Sequence, residues 1–321
     1  MATLRLHRRH LLAGLSLSAV AAPAAAEQGP SAKYEVAEGP LTLKVVDLSP
    51  RFLDFWAAAK DEADADKRFA LWKDRYGFAA APPGPRFDGV ARSLLDGAWD
   101  RYPGAIGLIR AGARGMQPDP MSVLKGVARV LQPPRPLTVQ VTAYVGGFEE
   151  NAFTYRGQYP TVAVPLEMDP VARRTVFAHE MTRAVHLETA RLEGGWERAI
   201  GLSVIQEGLA MHVAREVFPG LPLRSYVGGT PGWWNKAEAS REAVLRGVLP
   251  ALEAKDGETV FKYTMGEGTT GLNREVYIAG WFVVGELRRQ GMSLAQIARV
   301  SEPETPALAR GAILTLLGEK G

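Results

Sequence analysis

The sequence predicts an α+β protein that is mainly helical, with a small sheet placed just before one long helix. Three observations carry this reading. Two β-branched runs, residues 137–145 and 161–166, are bounded by Gly and Pro in the manner of strands. Asp169-Pro170 then supplies an N-cap and a first-turn proline, which together open a helix. Most of the remaining chain repeats its apolar residues at helical spacing.

Taken in chain order, the first 26 residues read as an export leader. Arg5, Arg8 and Arg9 stand there without an acid, an apolar run of small residues follows at 11–22, and Ala24-Ala25-Ala26 offers a cleavage site. The run is too short to span a bilayer. Arg8-Arg9 followed by His10-Leu11-Leu12 resembles a twin-arginine signal, although His7 stands where Ser or Thr is usual, so the twin-arginine and general secretory routes both stay open. The expectation is a periplasmic or secreted chain beginning near Glu27, with no integral membrane segment once the leader is removed.

Residues 27–135 read as a mainly helical N-terminal region. A β-rich run at 41–46 opens it, and 51–77 carries Phe52, Phe55, Trp56, Phe69, Trp72 and Tyr76 at helical spacings expected of core. The breaker A-P-P-G-P at 81–85 precedes further helical text at 87–130. Q-P-P-R-P at 132–136 is the expected boundary with a second region, 136–321. There, Pro165 cannot donate to a ladder, which places it at a sheet edge or a strand end. The tryptophans Trp233-Trp234 after a Gly-rich turn suit either an exposed stacking pair or residues folded back onto the core. The apolar repeat at 294–317 reads as packing.

Charge and composition narrow the function. The chain has 38 Lys and Arg against 35 Asp and Glu, and three of the basic residues belong to the leader, so the mature chain is formally neutral. No basic field argues for nucleic acid. With no cysteine, thiolate metal sites, disulfides and a cysteine nucleophile are excluded. A catalytic metal would have to be held by His and carboxylates.

The only histidines beyond the leader are His179, His186 and His212. His179 and Glu180 match the start of H-E-x-x-H, in which two histidines one helical turn apart bind Zn²⁺ and the Glu serves as general base. Arg183 occupies the position of the second histidine. Downstream, Glu207-Gly208-Leu209-Ala210 and then Tyr277-Ile278-Ala279-Gly280 follow in order. Together these segments resemble the gluzincin (thermolysin- and aminopeptidase-like) zinc metallopeptidases, with a degenerate H-E-x-x-R motif. A fainter likeness, Gly146-Gly147-Phe148-Glu149-Glu150-Asn151, is similar to the G-x-M-E-N strand of the aminopeptidase branch.

The resemblance implies a gluzincin-like zincin core and an exported hydrolase that cuts peptide or protein substrates with metal-activated water. Zinc would be held by His179 and Glu207, Glu180 would be the base, and Tyr277 would stabilise the oxyanion. Arg183 puts this in doubt, because a guanidinium has donors only and cannot ligate zinc. His186 is the candidate replacement ligand, although it lies seven residues beyond His179, about 10 Å along the helix. His212 is less well placed, since it points around its helix from Glu207. The alternative is a metal-free pseudopeptidase. Here Arg183 stands in for the metal among Glu180, Glu207 and one of Glu188 or Glu193, and the site binds a peptide or an envelope partner. On either geometry Arg183 is expected to contact Glu207 or Glu180.

Overall fold

A computed structural model describes residues 31–81 and 84–319, so the leader read at 1–26 lies outside the described residues. Five strands form one mixed sheet: β1 (Ala32–Glu38), β2 (Leu41–Asp47), β3 (Leu137–Tyr144), β4 (Phe153–Arg156) and β5 (Pro160–Pro165). Their order is β1-β2-β3-β5-β4. β2, β3 and β5 run parallel, and β1 and β4 close the edges antiparallel. Pro165 sits at the end of β5, where its missing N–H costs no ladder bond. Because β2 pairs with β3 residue for residue from Leu41↔Leu137, one sheet carries segments from both sides of the 132–136 proline run.

Between β2 and β3 come α1 (Ser49–Ala59), α2 (Ala65–Arg75), α3 (Phe87–Ala98), α4 (Tyr102–Ala111) and α5 (Pro120–Leu131). After the sheet come α6 (Pro170–Thr189), α7 (Ile200–Val217), α8 (Arg224–Val227), α9 (Trp233–Ala239), α10 (Arg241–Val248), α11 (Gly257–Thr264), α12 (Glu275–Arg289), α13 (Leu294–Ile297) and α14 (Thr305–Leu317). The fold is therefore α+β and mostly helical. The helical text at 51–77 divides into α1 and α2 because the Asp64 carboxylate caps a new helix, accepting the N–H groups of Asp66 and Lys67. Among the described residues no helix is long and apolar enough to cross a membrane. Trp233 folds inward, and Trp234 packs on Trp281 and Phe282.

Three elements position the polar centre of the molecule. Asp169 caps α6 as its sequence foretells, accepting from Val171 and Ala172 N–H. α6 packs on β4 and β5 on one side and on α7 on the other. α7 is buried from Ile200 to Ala214 on every face, the mark of a central helix. α12 crosses α7 with glycine on both sides of the contact. A Cβ on Gly208 would lie 2.2 Å from the Gly280 carbonyl oxygen, and one on Gly280 would lie 2.6 Å from that of Val204. The two backbones touch, and no side chain fits between them.

A second buried polar group lies beyond the end of β5. Glu167 accepts the N–H groups of Gly146 and Phe148, beside the Glu149 carboxylate, which accepts from Gly147. Burial pushes Glu167 up to about 7, and the charge of Glu149 adds to this against the pull of the backbone donors. The hydroxyls of Tyr76, Tyr102 and Tyr144 close the surroundings by donating to the carbonyls of Val145, Gly146 and Asn151.

Two predictions follow from these contacts. Gly280→Ala should force α7 and α12 apart and cost about 1–3 kcal/mol, as overpacking does; a lower urea midpoint at unchanged slope is the readout. Glu167 has a folded pKa above its ordinary value of 4.5, so the folded state holds its proton more tightly than the unfolded state. Its contribution to stability is complete below about pH 4.5 and is lost as pH rises through 7. Glu167→Gln keeps the acceptor oxygen and should flatten the fall in urea midpoint between pH 5 and pH 8. An unchanged slope in the variant would refute that origin.

Candidate functional site

The close crossing of α7 and α12 brings Glu207 and Tyr277 to the face of α6 that carries His179, Glu180 and Arg183. The Glu207 carboxylate is shared. One oxygen lies 3.0 Å from His179 Nε2 and the other 3.1 Å from Arg183 Nη1. Arg183 Nε lies 3.7 Å from Glu180 Oε2, and Glu180 Oε1 lies 3.9 Å from His179 Nε2. Thr154 on β4 holds the remaining acid: its hydroxyl sits 2.7 Å from Glu180 Oε2 and 2.8 Å from the Glu180 carbonyl oxygen. Tyr277 stacks parallel to His179 at 6.2 Å between ring centres, accepts a hydrogen bond from Arg183, and carries the Arg274 guanidinium 3.8 Å over its ring.

The expected contact of Arg183 with the two glutamates is present, and it is buried. Arg183, Glu180 and Glu207 are each 4% exposed or less. Burial opposes the charge on Arg183, but Glu207 and then Glu180 outweigh it and raise the guanidinium's pKa. Burial likewise works against charge on Glu207; Arg183, followed by the bond from His179, outweighs it and holds the carboxyl down at about 2. The pair is ionised throughout the physiological range.

The donor set does not fit a zinc ion. A tetrahedral site needs three protein ligands and an open fourth position, and here one imidazole and one carboxylate face a guanidinium with no lone pair. Among the described residues no three His, Cys, Asp or Glu side chains are arranged to hold a metal. His186 is fully buried, with Nδ1 at 3.4 Å from Gln206 Nε2, and no hydrogen bond or ion pair joins it to His179 or Glu207. Burial and the nearby Arg198 push its pKa down to about 3, so it is a neutral core imidazole. His212 stacks on Trp281 at 4.3 Å and bonds the Trp281 carbonyl oxygen. Glu188 is drawn outward to Arg156 at 3.1 Å.

Three participants have no signal in the sequence. Thr154 lies on a four-residue edge strand, Arg274 precedes α12 in a left-handed conformation, and Arg198 sits in the link between α6 and α7. None belongs to a spaced motif. The glycines of the Glu207-Gly208 and Tyr277-x-x-Gly280 segments were legible, and their physical role is the helix crossing that sets Glu207 against Tyr277.

Removing the cation should strand two buried carboxylates. Arg183→Ala is therefore expected to cost roughly 3–5 kcal/mol. Arg183→Lys should recover only part of this, because an ammonium cannot reproduce the planar fork. Urea unfolding of the three proteins measures this directly, and a loss below about 1 kcal/mol for the alanine variant would mean that the pair is not a buried structural ion pair.

Compared with family models, curated proteins and solved structures, the chain matches none of them.

Proposed function

We propose that the protein is an exported, metal-independent relative of the gluzincin-type peptidases, in which Arg183 replaces the metal and the site binds a peptide or an envelope partner without cutting it. The observation that carries this reading is the guanidinium of Arg183 lodged between Glu207 and Glu180 at 3.1 and 3.7 Å. A fixed positive charge at that place pairs with the acids that a hydrolase would use as ligand and base. Glu180 is held against β4 by Thr154, and Glu207 has a partner at each oxygen. The gluzincin-like core is supported by the order of the His179-Glu180, Glu207-Gly208 and Tyr277-x-x-Gly280 segments and by their convergence on one face.

The same convergence favours a second reading, a zinc-dependent peptide hydrolase with His179 and Glu207 as ligands, Glu180 as base and Tyr277 as oxyanion donor. It requires Arg183 to leave its buried position.

Metal analysis of the purified protein separates the two. The metal-independent reading expects zinc far below one equivalent and no cleavage of a peptide library. Stoichiometric zinc, with cleavage abolished by Glu180→Gln, would establish the hydrolase instead. Arg183→His tests the scaffold. Without metal it should unfold at a lower temperature than the parent, and added zinc should restore stability by binding the folded state alone. No response to zinc would remove the support for a gluzincin-like arrangement.

A further inference from the structure

β1 stands at one end of the sheet and, among the described residues, is hydrogen-bonded as a strand to β2 alone. Its outer edge presents backbone N–H and C=O groups to whatever lies beside it. Proteins blunt such an edge with a short strand, a proline, a bulge or charged side chains. β1 lacks the first three: it runs for seven residues without proline, and its register with β2 is unbroken from Ala32↔Asp47 to Glu38↔Leu41. The opposite edge, β4, has four residues. Only charge guards β1.

Those charges do not guard it against a copy of itself. Side chains alternate between the two faces of a strand, so Tyr34 and Val36, half-buried and packed on the core, define the inner face, and Lys33 and Glu35 lie on the outer one. There Glu35 stands opposite Lys44 of β2 and is ion-paired with it, while Lys33 stands opposite Val46 and makes no ion pair among the described residues. Two β1 strands meeting edge to edge about a twofold axis run antiparallel, and residues that face each other point to the same side. The axis must therefore pass beside one residue. Centred on Tyr34, the pairing sets Lys33 against the copy's Glu35 twice, once on each side of the axis. Centred on Lys33 or Glu35, it would oppose two lysines or two glutamates, and centred on Val36 it would set Glu35 against Ala37 and pair no charges.

We propose that the outer edge of β1 is a dimerisation surface, on which a second copy of this chain lays its own β1 antiparallel, centred on Tyr34, and joins the two sheets into one. The contact closes at two copies, because each edge is consumed by the other. Backbone hydrogen bonds supply the affinity. The charges choose the register, since exposed ion pairs contribute little by themselves but like charges set opposite each other are unfavourable. In the dimer each Glu35 lies between Lys44 of its own chain and Lys33 of the copy. On the inner face the half-buried Tyr34 meets the copy's Tyr34, and Val36 meets the copy's Ala32. The inference is independent of what the polar centre binds.

Sedimentation velocity of the purified protein over a range of concentrations reads the assembly directly. The parent should dimerise. Lys33→Glu sets glutamates against each other at both crossings, and Glu35→Lys does the same with lysines, so each variant should dimerise about 10- to 100-fold more weakly than the parent. Glu35→Lys also breaks the pair with Lys44, whereas Lys33→Glu removes no ion pair within the chain. Mixed in equal amounts, at a concentration where neither self-associates, the two variants should form a heterodimer, because every lysine at the axis then faces a glutamate again. That recovery separates a lost contact from misfolding. A parent that stays monomeric at every concentration, variants that dimerise as tightly as the parent, or a mixture that yields no heterodimer overturns the proposal.

Discussion

The polar centre depends on one charge, the guanidinium of Arg183. Glu180 on α6 and Glu207 on α7 are both buried and face the same space, and two carboxylates at that separation repel strongly once water is removed. A cation between them turns the repulsion into attraction. The neighbouring arrangement follows from this: Glu207 can offer its second oxygen to His179, Thr154 can hold Glu180 against the sheet, and Tyr277 can lie flat on His179 while accepting from Arg183. All of it requires α7 and α12 to cross at van der Waals contact, which Gly208 and Gly280 permit and any larger residue would prevent.

Among the described residues, carboxylates meet at two polar centres and are balanced in two ways. At Glu180 and Glu207 an arginine is supplied, and Glu207 stays ionised with its pKa near 2. Among the described residues no cation is hydrogen-bonded to Glu149 or Glu167, only backbone N–H groups, and Glu167 is pushed up to about 7. Glu207 is balanced by a fixed charge and stays ionised near neutrality. Glu167 is balanced by a proton and responds to pH there. The contrast shows that Arg183 is not a general consequence of burying acids in this fold. It belongs to the site.

What the sequence disclosed follows from how strongly each feature constrains its own residues. β3 and β5 were legible because both are buried and β-branched, and the start of α6 because Asp169-Pro170 is a local signal that needs no tertiary partner. β1 was not, since its side chains are largely exposed; it is held by pairing with β2. β4 has four residues, too few to show a period. In the site, His179, Glu180, Glu207 and Tyr277 were found through ordered motifs. The Arg183 contact was derivable because residues one helical turn apart share a face. Arg198 and Thr154 reach the site through the α6–α7 link and the sheet edge, and no local spacing encodes such positions.

The two buried arginines divide the work of the site. Arg183 is ion-paired with both Glu207 and Glu180, and it cannot turn to a ligand without stranding both. Arg198 lies close enough for Arg183 to oppose its charge, while Glu207 and Glu302 favour it. Two carboxylates carry a formal charge of −2, and Arg183 returns only +1. Arg198 supplies the second positive charge, and after Arg183 and His179 it too holds the Glu207 carboxyl down. The two arginines together balance the two acids, and the loss of either would leave an uncompensated charge at the polar centre.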